Sequence, residues 1–172
     1  SVEASITGGA HVTAHGGVTV QADNKGSMTS VAIGAAGART GAVGAAIAYN
    51  YVGGDPGDPT RDITENRDDS ATGQVIARID ASTATAQTGM VTVAANSVAR
   101  IFNVTVGASG AGELALSGSV SVNFMKEDVQ AQVTGGADIT GQTGVNIAAT
   151  DSPVMLIVAG AGAGAGTAAV GL

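Results

Sequence analysis

The feature that most constrains this chain is its likeness to itself. The segment VEASITGGAHVTAHGGVTVQAD (residues 2–23) returns as VQAQVTGGADITGQTGVNIAATD (residues 129–151), with TGGA identical in both. Val2, Ala4, Ile6, Val12, Val18 and Val20 fall on Val129, Ala131, Val133, Ile139, Val145 and Ile147. Between them lies VIARIDASTATAQTGMVTVAAN (residues 75–96). Units therefore begin at Val2, Val75 and Val129, at spacings of 73 and 54 residues. The basic unit is 54 residues, and the first copy carries 19 extra between Val52 and Val75. A fixed period of this size signals a repeat architecture in which each unit buries its apolar face against its neighbours.

In this register the silk-like run AGAGAGTAAVG (161–171) is the third copy of GAAGARTGAVG (34–44) and GASGAGELALS (107–117). It reads as a small-residue strand and turn, not a tail. The third copy is incomplete, and the array is expected to continue. The predicted organisation is one solenoid segment over 1–172. Its copies are 2–74 (insertion within 53–74), 75–128 and 129–172.

Each unit holds short alternating stretches, such as VIARID (75–80), VTVAAN (91–96), IFNVTV (101–106) and VSVNFM (120–125), punctuated by Gly, Asn, Asp and Ser. That is strand and turn chemistry. Helices are disfavoured, because Gly interrupts nearly every candidate segment at ~1 kcal/mol each. The expected fold is all-β, a parallel β-helix. Internal likenesses 29 residues apart suggest two coils of roughly 27 residues per unit. Six coils stacked ~4.8 Å apart would extend ~30 Å. The alternative is an antiparallel β-sandwich or β-roll of repeated hairpins, with residues 97–125 forming two strands joined at SGAGE.

Composition narrows the core. Tyr49, Tyr51, Phe102 and Phe124 are the only aromatics, and Gly supplies 27 residues. A thin interior of Val, Ile and Ala follows. In VTVGASG (104–110) the expected inward set is Val104, Val106, Ala108 and Gly110, with Thr105, Gly107 and Ser109 outward. Both faces are small and non-polar, a pattern of strands covered on both sides. The Ala/Gly face is expected to pack on another sheet or another chain. Ala32, Gly34, Ala36, Thr105, Gly107, Ser109, Ala159, Ala161 and Ala163 are the candidate self-association residues.

The net charge of −7, with seven scattered basic residues, argues against nucleic acid. The absence of Cys excludes disulfides and thiolate metal sites and is compatible with export. No apolar run reaches the ~18 residues of a membrane helix, and no membrane insertion is expected.

The pattern GGAxVTAxGGVTVxA, a Gly/Ala stretch and AVGAAIAYNYV resembles the repeats of filamentous-haemagglutinin-like and leukotoxin-like β-strand repeat adhesins. The matching residues are 8–22 and 42–52, with copies at 135–149 and 115–125. The resemblance implies a right-handed β-helix, export to the bacterial surface or medium, and a role in attachment or as a spacer. It carries over no catalytic residue. The 19-residue insertion departs from it.

Candidate sites are sparse. The insertion holds Asp55, Asp58, Asp62, Glu65, Asp68 and Asp69, an oxygen-rich set suited to Ca²⁺, though not as an EF-hand or a calcium β-roll nonapeptide. No other cofactor is expected. His11 and His15 share a strand face without a third ligand. Tyr49, Tyr51 and Phe124 are expected to stack between coils, with Asn50 and Asn123 in an Asn ladder. Asp80, Asp128, Asp138 and Asp151 are scattered, so the paired carboxylates of a polysaccharide-active β-helix are not evident, and no enzyme is expected. The functional expectation is a structural or adhesive segment at the cell surface or outside the cell. Its expected partners are itself, head-to-tail or laterally, and a host or neighbouring-cell surface. A Ca²⁺-dependent or carbohydrate-binding module at 53–74 is the alternative.

Overall fold

The structure, a computed structural model, describes residues 1–52 and 73–172. The chain winds through three coils. The first holds β1 (Val2–Ile6), β2 (His11–Ala14), β3 (Val18–Asn24), β4 (Ser27–Ala38) and β5 (Gly41–Val52). The second holds β6 (Gly73–Asp80), β7 (Thr83–Ala86), β8 (Met90–Ser97), β9 (Arg100–Ala111) and β10 (Leu114–Met125). The third holds β11 (Glu127–Thr134), β12 (Asp138–Gly141), β13 (Gly144–Asp151), β14 (Val154–Ala165) and β15 (Ala168–Gly171).

Among the described residues five three-stranded sheets result, each taking one strand from every coil, with the second coil's strand in the middle. The strands pair in parallel, with Val2, Val75 and Val129 aligned. This is a parallel β-solenoid. β9 and β10 lie in different sheets, so the hairpin alternative is excluded. The coil is the full 54-residue unit and not half of it, since β9 pairs with β14 across the 54-residue shift. The 29-residue likenesses relate strands of different sheets within one coil.

The described residues form two compact units, each assembled from three separate stretches of chain. The first comprises Ser1–Gly26, Val52–Ala99 and Met125–Pro153. Its three sheets send Ile79, Ala84, Ala86, Val91 and Val93 into one core. Period-two alternation does this: Val91, Val93 and Ala95 point inward while Thr92, Ala94 and Asn96 do not. Burying each large aliphatic side chain stabilises by about 1.5–3 kcal/mol. The outer surface is polar, with an Arg78–Glu3 ion pair at 3.0 Å across the β1–β6 ladder.

The β1–β2 and β11–β12 corners each use two consecutive glycines in the left-handed region, Gly8–Gly9 and Gly135–Gly136. The second coil's corner is one residue shorter and places Ala81 there instead, at φ 46°.

The second unit comprises Ser27–Tyr51, Arg100–Phe124 and Val154–Leu172. Here β4, β9 and β14 form one sheet, and β5, β10 and β15 form the other. The two sheets face each other at very short range. A Cβ on Gly34 would overlap the Ala45 carbonyl oxygen, and one on Gly107 the Gly118 carbonyl oxygen.

Candidate contact surface

The nine residues expected to mediate self-association form a patch on one sheet of the second unit. The register aligns Ala32, Thr105 and Ala159, then Gly34, Gly107 and Ala161, then Ala36, Ser109 and Ala163. Their expected direction is reversed. Thr105 is 0% exposed, and Gly107 and Ser109 are buried too. The patch faces the second sheet of the same chain. Where the backbones come closest no Cβ fits, as at Gly34 and Gly107, and the inner residues around them include Ala46, Asn103, Thr105 and Ser109, with Ile101 also buried. Because the side-chain period of a strand is two, this choice sends Val31, Ile33, Val104 and Val106 outward.

The outward face is therefore apolar. On the first sheet it presents Val31, Ile33, Phe102, Leu156 and Val158, and on the second Val43, Ile47, Leu114, Leu116 and Val120, all exposed. Ile33 is 73% exposed and Ile47 74%. A contiguous patch of this kind marks an interaction surface.

The interior between the sheets mixes small apolar residues with a hydrogen-bonded polar cluster, while the buried Ser109 and Ser117 hydroxyls have no partner among the described residues. Asn103 Nδ2 donates to Ser121 Oγ at 2.7 Å and to Asn123 Oδ1 at 2.9 Å. Thr105 Oγ1 donates to Asn103 Oδ1 at 3.1 Å. Asn50 Nδ2 reaches Asn123 Oδ1 at 2.8 Å, so the expected Asn pairing between coils is present. The rings meet as well, tilted rather than stacked: Phe124 lies 5.8 Å from Tyr49 and 6.5 Å from Tyr51 between centroids, at interplanar angles of 51° and 43°.

The other expected residues do not converge. His11 pairs in register with Thr83 and Asp138, where the constant 73-residue shift of the repeat would give Ala84, because the second coil's corner is shorter. His15 Nδ1 lies 3.4 Å from Gln87 Oε1. Asp80 accepts a hydrogen bond from Thr134 Oγ1 at 2.8 Å. Among the described residues no three His, Asp or Glu side chains gather in a metal-binding group. Asp55, Asp58, Asp62, Glu65, Asp68 and Asp69 lie outside the described residues.

The first unit has polar ladders. Asn96 Nδ2 donates to Asp23 Oδ1 at 2.9 Å, and Gln21 Nε2 to Asp23 Oδ2 at 2.8 Å. These bonds, Asn96 first, together with the Lys25 charge, hold the Asp23 carboxyl below its ordinary value. An open pocket lined by Val2, Asn24, Val52, Gln74 and Glu127 has one acid among the described residues. That acid is engaged by Asn24 and Ser97.

The geometry defines a β-solenoid whose most conspicuous surface is an apolar two-faced slab. No protein-family model, curated protein or solved structure matches the chain.

Proposed function

We propose that this chain is a structural, self-associating segment of an exported bacterial surface or filament protein, working through stacked backbone ladders and surface contact. One observation carries the reading. Val145 and Ile147 continue the inward columns of Val91 and Val93, which are 0% exposed, yet they are 42% and 47% exposed themselves. The third coil thus presents an uncovered core layer beside an unpaired strand edge. An edge of that kind templates another chain, and a further coil would bury both features. Attachment to a host or neighbouring-cell surface belongs to the same reading, since a repeating scaffold multiplies weak contacts. It is supported by the exposed apolar surface and by the resemblance to adhesin repeats.

Sedimentation velocity over a concentration series tests it. Oligomers that grow with concentration and shrink in Ile147→Lys are the expected result. A monomer at every concentration overturns the reading.

A further inference from the structure

The two units obey opposite rules. The first buries Val and Ile and shows polar side chains to water, as at Val91, Thr92, Val93 and Asn96. The second buries Asn50, Asn103, Thr105 and Ser117 among alanines and Ile101, and exposes Val31, Ile33, Val43 and Ile47. One chain in one solvent has no reason to do both. The inversion holds on both outer faces of the slab, so whatever covers the second unit reaches both.

Three further observations describe the covering medium. The first is charge. Tyrosines aside, the second unit carries Arg39, Arg100 and Glu113 as its only ionisable side chains. Arg39 and Glu113 sit in the turns at one end, and Arg100 is the first residue of β9 at the other. Between the ends the strands are free of charge.

The second is length. β4, β5, β9, β10 and β14 are each 12 residues. At ~3.3 Å per residue they span somewhat more than the ~30 Å of a bilayer's hydrocarbon core.

The third is the aromatic residues. All four in the chain, Tyr49, Tyr51, Phe102 and Phe124, lie toward one end of these strands, near the start of β9 and the finishes of β5 and β10. Of these, Tyr49 and Tyr51 are of the type enriched at a membrane–water interface.

A second copy of the chain fits less well. Three strands ~4.8 Å apart and ~38 Å long offer about 550 Å² on one face. Face-to-face pairing would bury about 1,100 Å² in all, at the low end for a specific complex, and would leave the opposite face bare. Acyl chains cover both faces at once. The hydrogen-bonded Asn103, Thr105, Ser121 and Asn123 are then polar groups kept away from lipid.

We propose that the second unit inserts into the hydrocarbon of a lipid bilayer, its outer faces against acyl chains and its charged turns at the headgroups. This departs from the sequence-based expectation that the chain avoids membranes. Lipid cannot satisfy the backbone groups at the free edges of β4 and β14 in one sheet and of β5 and β15 in the other. Here the inference rests on the stacking proposed above, with further copies pairing to those edges.

The chain has no Cys, so single-cysteine variants Ile33→Cys, Ile47→Cys and Thr19→Cys report cleanly with an environment-sensitive fluorophore. Thr19 is an exposed position on the first unit. With phosphatidylcholine vesicles, labels at 33 and 47 are expected to brighten several-fold and to be quenched by acyl-chain spin labels, while the label at 19 stays in water. Ile47→Arg, which replaces an already exposed side chain and so keeps the native circular dichroism, is expected to weaken vesicle partitioning at least about tenfold. Failure to float with vesicles, labels at 33 and 47 that stay in water on bound protein, or equal partitioning by Ile47→Arg each overturns the inference. Sedimentation without lipid reads the stacking separately, so loss of membrane insertion with stacking intact is distinguished from failure of the stacking on which it rests.

Discussion

Gly107 shows how one hydrogen atom in place of a side chain sets the architecture of the second unit. Its missing Cβ is what lets the carbonyl of Gly118 approach. Gly110, three residues on in the same strand, has nothing within 4 Å of its would-be Cβ. Gly107→Ala is expected to destabilise by about 1–3 kcal/mol through overpacking, lowering Tm by several degrees. Gly110→Ala should leave Tm nearly unchanged, and the pair of melts checks both. Asn103 is the polar counterpart. Asn103→Ala removes the acceptor of the fully buried Thr105 hydroxyl and a donor to Ser121 and Asn123. Leaving buried groups without partners costs about 1–3 kcal/mol, so urea denaturation should show a loss of that size with the m-value preserved.

At the scale of elements, each strand's place in the stack decides what its side chains contribute. Ile79 of β6 is covered by coils on both sides and is 0% exposed, whereas Ile147 of β13 has a neighbour on one side only. Ile79→Ala is expected to cost about 2–5 kcal/mol, in the range of fully buried large-to-small changes. Ile147→Ala should cost clearly less, and chemical denaturation of the two variants side by side measures the difference. Corners set the register. The second coil turns at Ala81–Ser82 with one residue fewer than TGGA, and so His11 meets Thr83. A comparison at constant shift passes over this deletion, because the apolar pattern on either side resumes in phase.

For the whole molecule, paired edges and buried layers concentrate in the second coil. Amide exchange is expected to be slowest at 75–79 and 91–95, where strands are paired on both sides, and faster along β13 and β14. Exchange followed by mass spectrometry checks this, and uniform protection would contradict it. The repeat at Val2, Val75 and Val129 was legible in the sequence, and with it the parallel register and the solenoid class. Those follow because identical spacing of apolar residues is what allows identical coils to stack. The direction of the second unit's faces was not legible. In VTVGASG both alternating sets are uncharged, so hydrophobicity alone favours putting Val104 and Val106 inside. Only the opposing sheet reverses that order: its backbone leaves no room for a Cβ at Gly34 or Gly107, and because the side-chain period is two, holding Gly107 inward holds Thr105 and Ser109 there and turns Val104 and Val106 outward.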